Sequence, residues 1–404
     1  MNKFNEKKGK NSEDVQEMNR SLIVKLIRKY GVCSRAQLTK ATGLKQASIT
    51  KIIASLIQLG IVSEVGIVEG KKGRRSIGIT INSNMYKVIG VKLARKSFSV
   101  GLYDISGVEY KVQSESLSMS QGSKIALERM KAVIADFLRD QDDVVAIGVA
   151  IPGPFLKDKG KIVLITEFPG WENVNLQEEF YKEFSIPVFV EHDANAGALA
   201  EWWFTENIHN TGVMVYFLAS EGIGAGIISE GQLFTGSQGI AGEVGHMSID
   251  YNGRKCSCGS YGCLEMYCST LALIKDVKSN LTDYPDSVLN QGKEISVDNI
   301  FVAMEQGDEL AIKMVRQAGL YMGYGIVNLV SVYNPNCIII SDIMFRGGEV
   351  LLNAIHEAIK PRLHPSLYEN LTIKLSKFSN DPILYGAAAL ATDQFLKKPT
   401  SFLV

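Results

Sequence analysis

The sequence predicts an internally duplicated α/β body of two lobes around a cleft, preceded by a small winged helix-turn-helix. Three observations carry this expectation. Two well-separated stretches each open with three short strands in succession and continue through helix to a buried strand. Residues 1–84 hold 16 Lys/Arg against 6 Asp/Glu, whereas residues 85–404 hold 27 against 37, so a net charge of zero hides a basic head on an acidic body. At 404 residues the chain is also longer than one compact domain usually is.

Taken in order, residues 1–15 are polar and read as a flexible arm. Residues 16–82 form the basic module. Val15, Met18, Leu22, Leu26 and Ile27 recur at helical spacing over residues 15–29. Ser34 caps a short helix from Arg35 to Thr42, which Gly43 breaks. A second helix starts near Lys45 and runs to Leu59, with Ile49, Ile52, Ile53, Leu56 and Leu59 on its buried face and Gly60 closing it. Two helices across a short Gly-containing turn make a helix-turn-helix. The next stretch, IVSEVGIVEGKKGRRSIGITIN, is two β-rich runs around a Gly/Lys/Arg tip, the pattern of a hairpin wing.

Such a module reads double-stranded DNA. Its second helix presents Gln46, Ala47, Ser48, Thr50 and Lys51 to a major groove, flanked by Arg35 and Lys45. Gln pairs with adenine, and Ser or Thr contacts bases or phosphates. Lys71, Lys72, Arg74 and Arg75 at the wing tip suit a phosphate grip or a minor groove. A protein-interaction role for the same fold is the alternative, and the basic balance argues against it.

The body spans residues 85–404. YKVIGVKLA, SFSVGLYDI and VEYKVQSES are three strands joined by turns at Arg95-Lys96 and Ser106-Gly107. A helix from about Lys124 to Arg139 and the buried strand VVAIGVAIPGP follow. TGVMVYFLA, GIGAGIISE and GQLFTG repeat the opening, and a helix from Asp308 to Val332 leads to the strand CIIIS. With 46% hydrophobic and 21% charged residues the composition is that of an ordinary globular protein. No apolar run approaches the roughly 18 residues of a membrane span, and residues 1–20 lack the apolar core of a signal peptide. The expected location is cytoplasmic, without membrane contact.

Four of the six cysteines fall between residues 256 and 268. In a reducing compartment clustered cysteines bind metal more often than they form disulfides. His246, Cys256, Cys258 and Cys263 offer the Cys₃His set of a structural zinc site, and the intervening glycines let the backbone curl its thiolates around one ion. Four protein ligands fill a tetrahedral shell, so the ion is structural. Cys33, Cys268 and Cys337 read as packing residues.

G-E-x-G-H followed by C-x-C-G-x-x-G-C-x-E resembles the signature of the ROK family (repressors, open reading frames and sugar kinases). The likeness runs from about Tyr86 to Phe395 and includes AIPGP (150–154), FPGW (168–171), EHDANAGALAE (191–201), EGIGAGIISEGQLFTGSQGIAGEVGH (221–246) and YGAAALA (385–391). It implies an actin/hexokinase-like, ribonuclease H-like body whose zinc site shapes a monosaccharide pocket between the lobes. The positions matching the family's sugar contacts are Gly153, Thr166, Asp193, Glu243, His246 and Glu265, with His192 beside them where the kinases usually carry Asn. Glu167 replaces a frequent Asn. His246 would place one ring nitrogen on zinc and the other toward the sugar. Asp193 matches the family's catalytic base.

The nucleotide elements depart from the family. The D-x-G-G-T-K phosphate loop is replaced by residues 90–101, GVKLARKSFSVG, with Lys92 at the Asp position and side chains where glycines would admit phosphate. The late glycine-rich turn is replaced by Ser341-Asp342-Ile343. The expectation is therefore a sugar sensor with no catalytic residue, in which Asp193 receives a hydroxyl. With the basic module it resembles the family's sugar-responsive repressors: a homodimer or dimer of dimers on a pseudo-palindromic operator. An ATP-dependent sugar kinase with an added amino-terminal domain is the alternative.

Overall fold

The computed structural model describes residues 11–69, 75–117, 122–153, 155–156, 160–162, 170–171, 174–205, 212–290, 292, 294–378 and 381–403. The wing-tip residues Lys71, Lys72 and Arg74 lie outside these, as do Thr166 and Glu167.

The basic module contains α1 (Ser12–Tyr30), β1 (Cys33–Ser34), α2 (Arg35–Thr42), α3 (Gln46–Gln58), β2 (Val62–Glu69) and β3 (Arg75–Ile81). Ser34 closes a capping box: its hydroxyl accepts from Gln37 N–H while the Gln37 side chain accepts from Ser34 N–H. Gly43 ends α2 in the left-handed conformation, and β2 and β3 pair as the expected antiparallel wing. Ile49, Ile52, Ile53 and Leu56 are the buried face of α3.

One expectation is corrected here. Part of the span expected to be a flexible arm is helical, since α1 begins at Ser12. Of the residues at helical spacing in α1, Val15, Met18 and Leu22 are 46%, 51% and 41% exposed, while Ile27 is buried together with Ile23 and Val24. Helical spacing gives the period of a face but not which of two adjacent apolar stripes meets the core. Here α1 packs on the last helix of the body as well as on its own module.

The body contains β4 (Lys87–Leu93), β5 (Ser97–Asp104), β6 (Glu109–Ser116), α4 (Gly122–Leu138), β7 (Val144–Ile151), β8 (Phe155–Leu156), β9 (Lys161–Ile162), α5 (Leu176–Glu183), β10 (Val188–His192) and α6 (Asp193–Phe204). The second half follows with β11 (Val213–Ala219), β12 (Ile223–Ser229), β13 (Gln232–Leu233), α7 (Glu265–Cys268), α8 (Thr270–Asn280), α9 (Val297–Glu305), α10 (Glu309–Tyr333), β14 (Cys337–Ser341), α11 (Gly348–Ile359), α12 (Pro365–Glu369), β15 (Thr372–Leu375) and α13 (Pro382–Lys397).

The duplication is explicit in the sheets. One runs β10-β7-β4-β5-β6 and the other β15-β14-β11-β12-β13. In each, the first three strands form an antiparallel meander and two later strands add in parallel to the first. The parallel strands β7 and β14 are buried throughout, as expected when helices cover both faces. The helix that ends each half crosses over: α6 packs on β11 and β12 of the second sheet, and α13 on β4 and β7 of the first. This crossing pair joins the lobes and leaves a cleft at the carboxyl ends of the parallel strands, where open α/β sheets place their ligands.

Candidate functional site

The loops at those strand ends bring the expected polar residues together. Gly153 follows β7, His192 ends β10, and Asp193 begins α6. A Cβ on Gly153 would lie 2.0 Å from His192 Cδ2, so glycine there is what admits the imidazole. His192 Nε2 is 3.2 Å from Asp193 Oδ1 and 3.8 Å from Glu243 Oε1, so one ring nitrogen faces both carboxylates. Glu243 comes from the opposite lobe, in the turn before the short 3₁₀ segment Val244–His246. Burial raises its pKa; His192 and His246 offset part of that, while Asp193 and Glu265 add to it. Glu265, at the start of α7, accepts the Ile223 N–H at 3.2 Å, which anchors it beneath β12. The result is a cleft floor of three carboxylates and two imidazoles, a set of acceptors and donors suited to vicinal hydroxyls.

His246, Cys256, Cys258 and Cys263 converge beside it, with one ligand atom from each within 4.8 Å of the others. His246 Nδ1 is 3.7 Å from Cys256 Sγ, and Cys258 Sγ is 3.6 Å from Cys263 Sγ. A tetrahedral ion with bonds of about 2.3 Å to sulfur needs sulfur atoms ~3.8 Å apart, close to the Cys258–Cys263 separation. Burial and the neighbouring thiols push the Cys263 thiol up to about 12. Three thiolates this close repel one another unless a cation offsets their charge. The backbone is shaped for this: Gly262 has φ +68° and its absent Cβ would fall 1.6 Å from the Asp250 carbonyl. The cluster could hold a metal ion through His246 Nδ1, leaving Nε2 free for another partner. Cys33, Cys268 and Cys337 are buried elsewhere, in packing positions.

The other side of the cleft differs from a phosphate site. Lys92 Nζ pairs with Asp381 Oδ2 at 2.7 Å. Asp381 is the N-cap of α13, its Oδ1 accepting from Ile383 and Leu384 N–H. A helix N-terminus available to an anion is thus already capped by a carboxylate that a lysine neutralises. Arg95, in the β4–β5 turn, reaches Glu221 in the β11–β12 turn at 3.1 Å and so ties one lobe to the other. Asp342 holds the left-handed conformation, φ 57°, at the turn after β14, and burial raises its pKa against the lowering effect of Lys92.

On the amino-terminal module, Lys45, Gln46, Ser48, Thr50 and Lys51 are all exposed on α3 and at its start. Arg75 is exposed at the start of β3. Arg35 is engaged with Glu64 of the wing at 2.7 Å, so its guanidinium braces α2 against β2. Sequence reasoning did not anticipate Arg28. Its guanidinium lies 3.1 Å over the Trp203 ring and donates to the Trp203 carbonyl. No local pattern marks that contact, because its partner is far along the chain. Among the described residues no helix is long and apolar enough to cross a membrane.

Comparison with known proteins places the molecule. The model of the ROK family matches residues 88–394. The xylose repressor of Bacillus spizizenii is 30% identical over 389 residues, covering 95% of this chain and 97% of that protein. The DNA-binding transcriptional dual regulator NagC of Escherichia coli is 31% identical over 385 residues, covering 94% and 93%. Among solved structures, a ROK family transcriptional regulator described as a homolog of the E. coli MLC protein superposes with a TM-score of 0.82 at 29% identity, covering 95% of this chain and 97% of that one. A ROK family glucokinase from Streptomyces griseus, in complex with glucose and AMPPNP, superposes with a TM-score of 0.66 at 26% identity, covering 76% of this chain and 99% of the kinase. The chain belongs to the ROK family.

Proposed function

We propose that this ROK family member is a DNA-binding transcriptional repressor of sugar-metabolism genes, with operator affinity set by a monosaccharide bound in the cleft. The observation that carries the reading is the occupied phosphate side: Lys92–Asp381 and Arg95–Glu221 fill with ion pairs the turns that a nucleotide's phosphates need open. The near full-length likeness to curated repressors supports it, since the kinase covers only 76% of the chain. The protein is then no enzyme, and Asp193 accepts a sugar hydroxyl without passing its proton on.

In this reading His192, Asp193, Glu243, His246 Nε2 and Glu265 bind the sugar, with Gly153 and Thr166 completing the pocket. Zn²⁺ is the ion that the thiolates of Cys256, Cys258 and Cys263 and Nδ1 of His246 would hold; its chemistry is structural, a fixed positive charge that draws the loop together. The chain's own residues then do the rest: the tethered loop positions Glu265 and orients the His246 ring toward the cleft. Lys45, Gln46, Ser48, Thr50 and Lys51 face bases and phosphates in the major groove, and Lys72, Arg74 and Arg75 of the wing grip the backbone. Arg35 positions α2 through Glu64 and contacts a phosphate from its outer edge. The protein acts in the cytoplasm as a homodimer or dimer of dimers, the two-fold matching operator half-sites.

The test is a titration of the duplex upstream of the protein's own gene with a monosaccharide panel, ATP serving as control. One sugar shifting affinity without ATP supports the reading. ATP turnover with a hexose would establish a sugar kinase instead, and operator binding that no sugar alters would make the pocket vestigial.

A further inference from the structure

One helix runs from the cleft to the DNA-binding module. Helix α6 begins at Asp193 in the cleft floor and ends at Phe204, a span of about 18 Å at 1.5 Å per residue. The last carbonyls of any helix have no N–H partner inside it. Those of α6 meet the basic module: Arg28 of α1 donates to the carbonyls of Trp203 and, at 3.4 Å, Trp202, and its guanidinium stacks on the Trp203 indole. A cation there also complements the negative end of the helix dipole.

Alanines and Gly197 let α6 lie against α13 backbone to backbone; a Cβ on Gly386 of α13 would fall 2.1 Å from the Ala196 carbonyl. Beyond Arg28, α1 carries the linkage onward. Arg20 is held by Glu17 at 3.0 Å and reaches Ser55 of α3 at 3.3 Å, while Glu17 also accepts from Thr400 beyond α13. An unbroken run of close packing therefore links Asp193 to the helix that faces DNA.

We propose that α6 transmits the state of the cleft to the DNA-binding module, and that Arg28 is the coupling residue at its far end. The inference rests on the proposed function, since it names how that site is coupled to DNA. A displacement at Asp193 moves α6 together with the α13 it is locked against, and the Trp202 and Trp203 carbonyls take the Arg28 side chain and α1 with them. That changes the angle at which α3 is presented. The coupling resides in the Arg28 bridge; neither DNA affinity nor sugar affinity alone depends on it.

The experiment uses the full chain and Arg28→Met. Fluorescence anisotropy measures affinity for the upstream duplex with and without D-xylose, D-glucose or N-acetyl-D-glucosamine, and calorimetry measures each sugar's affinity with and without the duplex. In the wild type an effective sugar should shift DNA affinity by about 5- to 150-fold, with the same factor in the reciprocal measurement. In Arg28→Met both single affinities should stay near wild type while both coupled shifts fall to about twofold or less. A full shift in the variant overturns the proposal. So does loss of sugar-free DNA binding at an unchanged melting temperature, which would make Arg28 part of the scaffold. Should Arg28→Met fail to fold, Arg28→Lys is read by the same criteria, because lysine keeps the charge but loses the fork that spans two carbonyls and an indole. A wild type that responds to none of the sugars refutes the functional reading itself, a result distinct from any obtained in the variants.

Discussion

Removing the metal-binding capacity of the cysteine cluster has a magnitude that follows from where its members sit. A bound ion would cross-link His246 to Cys263 and close a loop of about 17 residues. An ion that binds only the folded cluster stabilises it by RT ln(1 + [ion]/Kd), about 3 kcal/mol when free ion is on the order of 100–200 times Kd. Cys263 is fully buried and Gly262 is pinned against Asp250, so the native loop has no other conformation in which to dissipate the loss. At an unfolding entropy of about 2.1 cal/mol/K per residue, a body of roughly 320 residues should then melt ~4–5 °C lower. The assay is calorimetric melting of the protein as purified, after chelation, and as Cys258→Ser, with metal content measured in each sample. Exposed Cys258 is the residue to change because its replacement opens no core cavity. Chelation and substitution should lower the melting temperature by similar amounts, and the response to sugar should weaken because Glu265 loses the tether two residues before it. A metal-containing wild type whose melting temperature and sugar response survive both chelation and Cys258→Ser unchanged would refute the argument.

Other consequences are open to direct measurement. Asp193→Asn should leave operator affinity unchanged and abolish its dependence on sugar; a normal response in DNA-binding titrations would put the pocket elsewhere. Arg75→Ala should weaken DNA binding across all sequences and reduce the slope of log affinity against log salt by about 0.9 for each phosphate it no longer neutralises. An unchanged slope would remove this residue from the interface. Burial holds the Glu243 pKa above the usual glutamate range, so the group favours the folded state while protonated and loses that contribution as pH rises through its folded value. For a sugar the sense is opposite: hydroxyls need the ionised acceptor, so affinity should fall as pH drops through that raised value. Calorimetry across pH on the wild type and Glu243→Gln tests this, and an identical acid limb in both would assign it to another group.

Some features were legible because they are local. The Ser34 cap, the Gly43 break and the buried isoleucines of α3 are set by neighbours within a few residues, and the structure places each where the pattern puts it. The Cys₃His set was legible because metal chemistry constrains residue type and spacing together. The duplicated strand order was legible from alternation and turns, although only the sheets show that the two halves share one connectivity. Which side of α1 meets the core was not legible, because the pattern gives only a period and one of its partners, α13, lies at the other end of the chain.

By itself, then, the sequence determined the kinds of elements, the order in which they come and the His/Cys set of the cluster. These follow from backbone sterics, hydrogen-bonding capacity and ligand chemistry that act over short spans. Tertiary structure alone decided that Lys92 neutralises the cap of α13, that Arg95 joins the lobes through Glu221, and that Arg28 closes the end of the helix that starts at Asp193. Each of these pairs a charge with a group more than a hundred residues away. A lysine or arginine carries no record of its partner in its neighbours, and only the crossing of α6 and α13 brings the two together.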